Sequence, residues 1–422
     1  MQAEASPVRN RTAMMIALVV CYTLNFVDRQ IIGILAEPIK LDLGLSDSQL
    51  GWMGGTAFAL FYTCLAIPLA MLADRRDRSW IIAGGLFLWS LMTAACGIAQ
   101  NFWQLFLARM GVGIGEAAGV APAYSLISDF YPPEQRARAL AIFSLGIPIG
   151  SALGVLFGGL LAARVDWRFA FIAIGLVGIL FAPVFKWVVR EPGHGRRDEG
   201  PRAAAASFGT VFRTLAAKPA FWFLSFGAGT ASLVSYGLAF WIPSFMARSY
   251  GLDLVDRSML YAAVALVGGA AGIWFGGLLG DRLGNANPRG YALVPAIAFA
   301  ITAPAYLIAF ATTDIVITTI AIVIPTALGL TWLGPVVTAV TRLVPPEMRA
   351  TASAMFLFIN NLVGLGLGTL VIGAISDALT ARFGEEALRY SAMATSLLYL
   401  LAALLMLLGA RRLVRDFVPA AS

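Results

Sequence analysis

The segment APAYSLISDFYPPEQRARA at residues 121–139 has a related counterpart, GPVVTAVTRLVPPEMRATA, at residues 334–352. A second pair, AMLADRRDR at 70–78 and GLLGDRLGN at 277–285, is separated by a similar length of chain. The matching positions in the first pair are Pro122 and Pro335, Pro132 and Pro345, Pro133 and Pro346, Glu134 and Glu347, and Arg136 and Arg349. Similarity over such a distance predicts one structural unit that occurs twice.

The composition is that of a membrane protein. Of 422 residues, 59% are hydrophobic and 13% are charged, and the mean hydropathy is +0.81. A soluble domain has about 45–50% apolar and about 25% charged residues. One helical membrane span needs about 20 apolar residues. Twelve candidate spans occur, at residues 13–36, 50–72, 80–99, 103–130, 138–163, 168–189, 220–246, 258–280, 290–311, 315–341, 352–376 and 390–410.

The segment EPGHGRRDEGPRAAAASFGTVFRTLAAK at 191–218 divides these spans into six and six. Its first part is a charged linker. Its second part predicts a short amphipathic helix on the inner membrane surface, with Phe208, Val211, Phe212 and Leu215 on one face. We therefore predict an all-α polytopic membrane protein with twelve transmembrane helices in two pseudo-symmetric six-helix bundles. The predicted domains are 1–190, the cytoplasmic linker 191–218, and 219–422.

The distribution of charge indicates topology. If both termini are cytoplasmic, most of the 30 Lys and Arg residues fall in inner segments, as the positive-inside rule requires. The net charge of +7 is thus explained without nucleic acid. The first apolar run is too long for a cleavable signal peptide and lacks a small-residue cleavage site. We expect a multi-pass inner-membrane protein, a monomer whose partners are membrane lipids, protons and a small substrate.

Several function classes are disfavoured. The only histidine, His194, lies in the linker, and Cys21, Cys64 and Cys96 lie in apolar spans without metal-ligand or disulfide spacing. No motif pairs a nucleophile with a base. The sequence contains no GKT/S phosphate loop, which argues against ATP-driven transport. We therefore expect no enzyme activity, no catalytic residues, no metal and no cofactor.

A few charged residues lie inside the predicted spans. The stretch CYTLNFVDRQIIGIL at 21–35 places Asp28 and Arg29 in span 1, and span 4 contains Arg109 and Glu116. A charge at the centre of a membrane helix costs about 2.5–3.5 kcal/mol on insertion scales, so such residues usually serve a function. Arg109 and Glu116 are seven positions apart and share one face of a helix.

We predict that Arg29 and Glu116 approach each other, and that Asp28, rotated by about 100°, contacts a neighbouring helix or another face of the cavity. Protonation of Glu116, or an anionic headgroup at Arg29, would then break the pair. The alternative is a buried ion pair that only fixes helix register. Arg109 either couples ions or holds helix ends.

The second half lacks such charges in spans 7–11. Its polar and aromatic candidates for lining a cavity are Tyr236, Trp241, Trp332, Asn360 and Asn361. A cavity that is ionic on one side and aromatic on the other would suit an amphiphile. Each aromatic residue taken singly is also compatible with the core or with the membrane interface.

The inner loops contain candidate gating charges. The expected members are Asp74, Arg75, Arg78, Arg136, Asp281, Arg282 and Arg349. They would pair with one another or with helix N-termini when the cytoplasmic side closes. Exposed pairs contribute only about 0–1 kcal/mol each, which suits a reversible gate. The alternative to gating is that these charges serve the positive-inside rule and pair only incidentally.

These motifs resemble the major facilitator superfamily over essentially the whole chain. AMLADRRDR is similar to its GxLxDRxGRR signature, with Ala70 and Asp77 at two glycine positions. LARMGVGIGEA at 107–117 resembles the span-4 arginine motif, and GIPIGSALG at 146–154 resembles the span-5 glycine motif. NFVDRQ at 25–30 and the run at 112–154 are most similar to Spinster-type transporters, which are associated with lysophospholipids and sphingosine phosphate in animals.

The resemblance implies alternating access by a secondary transporter of an amphiphilic anionic lipid, with proton coupling through Glu116 and Asp28 as a hypothesis. A small organic-anion/proton symporter is an alternative, because the anion:cation symporter family shares the NxxDR and R…GEA patterns. A non-transporting membrane sensor is another.

Glycines recur every four residues in spans 5 and 8, which lets helices approach closely. They are Gly146, Gly150, Gly154 and Gly158, and Gly268, Gly272, Gly276 and Gly280. In the superfamily's arrangement spans 5 and 8 face each other, which predicts that the stripes mark the meeting surface of the halves. Packing within each half is the alternative.

Overall fold

The computed structural model describes residues 9–73, 75–192 and 207–418, and every regular element among them is a helix. Asp74 and His194 lie outside these described residues. The chain separates into two compact units. Unit 1 comprises Met1–Gly44 and Leu60–Gly200, and unit 2 comprises Leu45–Ala59 and Pro201–Ser422. The domain limits at 190 and 218 stay a prediction.

Within residues 9–73 and 75–192, ten α-helices precede the linker. They are α1 Arg9–Ile34, α2 Ala36–Leu43, α3 Asp47–Gly51, α4 Ala57–Ala73, α5 Arg78–Cys96, α6 Phe102–Glu116, α7 Val120–Phe130, α8 Pro133–Ser144, α9 Gly146–Arg164 and α10 Trp167–Val188. A π-helical turn, Trp52–Thr56, joins α3 to α4. The capping box of Ser46 with Gln49 begins α3, because the side chain of each residue accepts the backbone N–H of the other.

Residues 207–418, which begin inside the linker, contain nine further α-helices. They are α11 Phe208–Ala216, α12 Pro219–Tyr250, α13 Leu254–Ala286, α14 Gly290–Ala311, α15 Ile315–Leu328, α16 Leu333–Thr341, α17 Arg349–Phe383, α18 Ala387–Ser396 and α19 Leu398–Asp416. Short 3₁₀ turns at Pro346–Met348 and Gly384–Glu386 flank α17.

The helices account for the twelve predicted spans. Among the described residues, ten stretches are long and apolar enough to cross a membrane, and one of them, Arg349–Asp416, is 68 residues long and contains predicted spans 11 and 12. Predicted span 4 is divided between α6 and α7, so neither piece reaches the length of a span. The prediction of twelve transmembrane helices is confirmed.

Both repeats contain a break at the same point. In span 4, α6 ends at Glu116 and α7 begins at Val120; in span 10, α15 ends at Leu328 and α16 begins at Leu333. Tight turns satisfy part of the freed backbone, since Gly119 N donates to Glu116 O at 3.0 Å. The break belongs to the repeat, whereas the carboxylate beside it occurs in the first half alone.

The glycine stripes pack within their own units, so the interpretation of them as the meeting surface of the halves is wrong. A side chain at Gly150 or Gly154 would collide with the backbone of α1 at Thr23 or Val27. In unit 2, Gly272 and Gly276 lie against the backbone of span 10 at Ala327 and Thr331. Close approach was predicted correctly, but the stripe carries no information about which helix approaches.

The linker helix α11 is present in unit 2. Ser207 caps it by accepting a hydrogen bond from Thr210 N at 3.2 Å. Val211 and Leu215 are buried, whereas Phe208 is 61% and Phe212 is 44% exposed. The predicted apolar face therefore divides into a row packed on the protein and two exposed rings.

Candidate functional site

The centre of unit 1 contains the predicted ion pair. Arg29 Nε donates to Glu116 Oε2 at 2.8 Å, with the Glu116 side chain 0% and the Arg29 side chain 11% exposed. The predicted approach of these residues is confirmed. Glu116 is the last residue of α6, where the helix dipole disfavours negative charge, so the carboxylate depends on Arg29 for stabilisation.

Aromatic rings also surround the Arg29 guanidinium. Its central carbon lies 5.1 Å from the ring centre of Phe26 and 4.7 Å from that of Tyr62. Such cation–π contacts are attractive, most strongly where water is excluded. Arg29 is thus held by one carboxylate and two ring faces.

Asp28 points away from Arg29 toward α5, a neighbouring helix, which is one of the two predicted alternatives. Its side chain is 3% exposed and faces Trp89 and Thr93. Arg109 Nη1 donates to the backbone oxygen of Asp28 at 3.3 Å, and the charge of Arg109 lies near both Asp28 and Glu116. Arg109 therefore links α6 to α1 at the level of the two carboxylates.

The four side chains form what we call the charge cluster: Asp28, Arg29, Arg109 and Glu116. Two guanidiniums balance two carboxylates when both acids are ionised. Breaking a buried pair by removing one partner is costly, because a buried charge remains without compensation. Protonation is a milder change, since it removes one negative charge and leaves every side chain in place.

Arg78 occupies a second buried site in unit 1. Its Nη1 donates to Asp129 Oδ2 at 2.5 Å and to Ser125 Oγ at 2.7 Å. Its backbone N donates to Glu191 Oε2 at 2.8 Å, and its Nη2 pairs with the same carboxylate. Two carboxylates of its own unit hold Arg78 in the interior rather than at the surface, where a gating charge was expected, and its gating role stays a prediction.

Sequence reasoning missed Asp129 and Glu191, the partners of Arg78. Asp129 lies at the C-terminal end of span 4 and Glu191 lies just after span 6. Both positions look like ordinary loop charge in the sequence. The signal that could have identified Glu191 is its place in the short segment REPG, which directly follows an apolar span.

Asp77 caps α5 in the loop that follows α4. Its Oδ1 accepts hydrogen bonds from Ser79 N at 2.9 Å and Trp80 N at 3.2 Å, and Lys186 Nζ donates to Oδ2 at 3.1 Å. Partial burial by itself would raise the pKa of Asp77, but the hydrogen bonds from Ser79 and Lys186 outweigh it and lower the pKa below its usual value. This cap explains why aspartate is tolerated at a signature glycine position.

The remaining gating candidates lie at the surface. Arg75, Asp281, Arg282 and Arg349 are exposed. Arg136 is half-buried and its Nε donates to Tyr131 O at 3.2 Å. Their gating role stays a prediction, and Asp74 lies outside the part of the chain that the structure describes.

Unit 2 contains an ion pair that sequence reasoning missed. Arg248 donates to Asp47 in bidentate fashion, Nη1 to Oδ2 at 2.6 Å and Nη2 to Oδ1 at 2.7 Å, and Ser376 Oγ donates to Oδ2 at 2.7 Å. Asp47 is 1% exposed. Paired hydrogen bonds of this kind are among the stronger polar contacts in proteins.

Asp377 holds α3, the helix that begins at Asp47, by its N-terminus. Its carboxylate accepts hydrogen bonds from Asp47 N at 3.0 Å, Ser48 N at 2.8 Å and Ser48 Oγ at 2.5 Å. We call Leu45–Ala59, the part of unit 2 that contains α3, the docked segment. Asp47, Arg248 and Asp377 are far apart in the sequence, so only the fold reveals their contact.

Most of the predicted cavity-lining residues of unit 2 are packed. Trp241, Trp332 and Asn360 are at most 3% exposed. Trp241 Nε1 donates to Thr369 O at 2.8 Å and Ser232 Oγ donates to Asn360 Oδ1 at 2.9 Å. Their polar atoms are satisfied inside the unit or their rings lie in its core, and their role in lining a cavity stays a prediction. Tyr236 and Asn361 are half-buried.

The arrangement supports ion and proton chemistry rather than bond-making catalysis. The cluster can hold or release a proton at a carboxyl group, and Arg29 can exchange its carboxylate partner for another anion. Buried intramembrane charges of this kind commonly mark substrate or proton pathways.

Comparison with known proteins identifies the class. The sequence profile of the Major Facilitator Superfamily matches residues 18–365. The chain belongs to this superfamily of membrane transporters, and it is therefore a transporter and not an enzyme.

Relatives place the chain in one branch of the superfamily. It is 32% identical to human protein spinster homolog 1 over 392 residues, which cover 87% of this chain and 74% of the relative. It is 36% identical to an MFS-type efflux pump of Mycolicibacterium smegmatis over 402 residues, which cover 94% of this chain and 92% of the relative. These similarities make it a Spinster-like transporter.

A solved structure has the same fold. A bacterial homolog of the human lysosomal transporter Spinster, in an inward-facing and unoccupied conformation, is similar with a TM-score of 0.91 at 33% identity. The match covers 99% of this chain and 100% of that one. A D-xylose–proton symporter, at 15% identity and a TM-score of 0.72, shares the fold alone.

Proposed function

We propose that this transporter moves an amphiphilic anion of the lysophospholipid or sphingosine-phosphate type, and that proton movement through Glu116 and Asp28 is coupled to the transport. The observation that carries the proposal is the 2.8 Å pair of Arg29 with Glu116. The amphiphile class rests on the resemblance to Spinster-type transporters.

The pair supports an exchange mechanism. When Glu116 is protonated, its attraction to Arg29 weakens, while the guanidinium keeps its charge at neutral pH. Arg29 is then available for a phosphate or carboxylate, which a guanidinium binds with two parallel hydrogen bonds. Loss of the proton restores the pair and releases the anion.

Asp28 and Arg109 complete the proposed mechanism. Asp28 is a second buried acid close to Glu116, so a proton that leaves one carboxyl group has an acceptor nearby. Arg109 opposes the accumulation of negative charge when both acids are ionised. The cluster therefore passes between a neutral state and a state with one positive charge.

The test is uptake of radiolabelled compounds into proteoliposomes with an imposed pH gradient, comparing a lysophospholipid with a small carboxylate. Glu116→Gln and Arg29→Ala are compared with Glu347→Gln and Arg411→Ala, which change exposed residues of the same type. We expect gradient-stimulated lysolipid uptake that the first two substitutions abolish and the controls retain.

Other outcomes select other functions. Uptake of the carboxylate alone would favour the organic-anion/proton symporter on the same fold. Binding of the lysolipid without movement of either compound would favour the non-transporting sensor.

We further propose that the protein is a monomer in the cell inner membrane with both termini cytoplasmic. The excess of Lys and Arg in the predicted inner segments supports this orientation. Labelling of single cysteines placed in the inner and outer loops tests it in intact cells. Inner positions are expected to stay unlabelled by a membrane-impermeant thiol reagent.

A further inference from the structure

Several polar atoms in the interior of unit 1 lack a direct hydrogen bond. Among the described residues, no direct hydrogen bond is made by Asn25 Oδ1, Asp28 Oδ1, Trp89 Nε1, Thr93 Oγ1 or Glu116 Oε1. All five residues are at most 3% exposed. Leaving one buried polar group unsatisfied costs about 1–3 kcal/mol, so a group of five requires an explanation.

These atoms belong to one site. Trp89 and Thr93 face the Asp28 carboxylate, Asn25 faces the Glu116 carboxylate, and the charges of Asp28 and Glu116 act on each other. Asn25 and Asp28 are one turn apart on α1, and Trp89 and Thr93 are one turn apart on α5. The groups thus face each other closely, but without direct hydrogen bonds of ordinary geometry.

A small pocket adjoins the site. It is lined by Asn25 and Trp89, together with Cys21, Tyr22 and Gly119 from the surrounding helices. Gly119 belongs to the break that follows Glu116. The absence of a side chain there leaves room beside Asn25 and Trp89.

The chemistry of the five atoms identifies the ligand. Trp89 Nε1 is a donor, the oxygens of Asn25, Asp28 and Glu116 are acceptors, and the Thr93 hydroxyl is both. A metal cation would satisfy only the acceptors and would meet an N–H group and two guanidiniums. A water molecule donates and accepts, and a buried water typically makes about three hydrogen bonds. Polar contacts beyond hydrogen-bond reach are commonly bridged in this way.

We propose that ordered water held by Asn25, Trp89 and Thr93 bridges the carboxyl groups of Asp28 and Glu116, so that the two acids share one proton. In the transfer, the O–H bond of the Glu116 carboxylic acid breaks and its proton joins a water oxygen. That water gives one of its own protons to the Asp28 carboxylate. One O–H bond forms for each that breaks, and no electrons are exchanged.

The charged and titratable groups around the site determine its net charge and which other groups could change protonation. Arg29 and Arg109 are cationic, so the cluster is neutral with both acids ionised and gains one positive charge with the shared proton. The other titratable groups that face it from α1, α5 and α4 are Cys21, Cys96 and Tyr62. The role of the water in transport rests on the proposed function, but its presence does not.

Infrared difference spectroscopy of the full-length protein in lipid tests the water directly. Spectra between high and low pH are recorded in ordinary water and in water labelled with oxygen-18. We expect O–H stretching bands that shift with the isotope, and we expect Thr93→Val and Trp89→Phe to remove them. Thr93→Ser restores the hydroxyl and should restore the bands. Thr302→Val, which removes a buried hydroxyl bonded within its own helix in unit 2, should not affect them.

A second measurement tests the shared proton. Coupled acids interact by more than about one pH unit, so Glu116→Gln should shift the titration midpoint of the Asp28 carboxyl band by about that amount. Thr93→Val should reduce this shift. Isotope-insensitive spectra, or bands and shifts that persist in both Thr93→Val and Trp89→Phe, would overturn the proposal. Isotope-sensitive bands in a protein whose transport ignores the pH gradient would instead contradict only the proposed function.

Discussion

At the scale of single residues, Arg29 and Glu116 differ in how a ligand can reach them. The Glu116 side chain is 0% exposed, whereas the Arg29 side chain is 11% exposed and lies against two aromatic rings. In the proposed mechanism, an incoming anion therefore meets Arg29, and a proton acts on Glu116. The two events occur on opposite members of one ion pair, which links them.

Arg29→Lys tests the need for a guanidinium. Lysine keeps the charge but loses the planar pair of donors and the stacking on Phe26 and Tyr62. A lost hydrogen bond to a charged group is worth about 1.5–3 kcal/mol, or about tenfold to a hundredfold in affinity. We expect the KM for the anion to rise by that factor in proteoliposome uptake, with Arg411→Lys unchanged. An unaltered KM would show that Arg29 does not contact the anion.

Asp77→Ala tests the cap of α5. Loss of an N-cap costs about 0.5–2 kcal/mol, so thermal unfolding in detergent should occur at lower temperature at pH 7. Because the folded-state pKa of Asp77 is lowered, its contribution is present above the unfolded pKa of about 3.9 and is lost as the pH falls through the lower, folded value. The difference from wild type should therefore shrink in acid. A difference that stays constant down to strongly acidic pH would contradict the role of the charge.

The sequence reveals one residue contact and hides another for the same physical reason. A charge inside an apolar span is conspicuous, so Arg29 and Glu116 could be paired from the sequence alone. Asp47, Arg248 and Asp377 lie at the ends of spans, where charge is ordinary. Their contacts depend on which helices are neighbours, and no local pattern contains that information.

At the scale of elements, the packing of α5 on span 4 positions Glu116. Gly85 on α5 lies so close to span 4 that a Cβ atom there would be 2.7 Å from Ala118 Cβ and 2.7 Å from Gly115 O. At Gly84, its neighbour, a Cβ atom would have no such contact within 4 Å. The same helix therefore offers a sensitive site and an insensitive site side by side.

Gly85→Ala should destabilise the protein, since overpacking costs about 1–3 kcal/mol. Gly84→Ala should be neutral or stabilising by up to about 1 kcal/mol, because alanine favours the helix. Thermal unfolding of both variants under identical conditions measures the difference. Equal behaviour of the two variants would contradict the close packing of α5 on span 4.

The docked segment is the second element whose packing leads to a testable prediction. Asp47→Asn removes one charge of a buried pair, which typically costs about 3–5 kcal/mol. We expect faster hydrogen exchange across Leu45–Ala59 than in the wild type. Asp42→Asn is the matched control, because the pair of Asp42 with Arg168 is 43% and 32% exposed and contributes about 0–1 kcal/mol. Equal exchange in both variants would show that Asp47 does not hold the segment.

At the scale of the whole molecule, hydropathy and the repeat were enough to predict the fold. The pattern of apolar runs gives the spans, and the paired motifs give two related halves. The assignment of chain segments to the two units was less predictable. The docked segment belongs to unit 2, although the residues before and after it in the sequence belong to unit 1. Buried polar contacts and glycine packing determine that grouping, and they join residues hundreds of positions apart.

The repeat also explains why the two halves differ chemically. Both contain the break in spans 4 and 10, but Glu116 in the first half corresponds to Gly329 in the second. Gly329 lies against the Tyr399 hydroxyl and Ser235, so a hydroxyl-lined core occupies the equivalent place. One scaffold thus serves an ionic site in unit 1 and an uncharged, hydroxyl-lined site at the equivalent place in unit 2.

The most direct test of the central claim is the pH response of transport in proteoliposomes containing wild-type protein or Glu116→Gln. The wild type should accelerate lysolipid uptake when a pH gradient is imposed. Glu116→Gln, which mimics the protonated acid permanently, should lose that acceleration while Glu347→Gln keeps it. Full pH-responsive uptake by Glu116→Gln would contradict the assignment of the buried ion pair as the proton-sensitive switch.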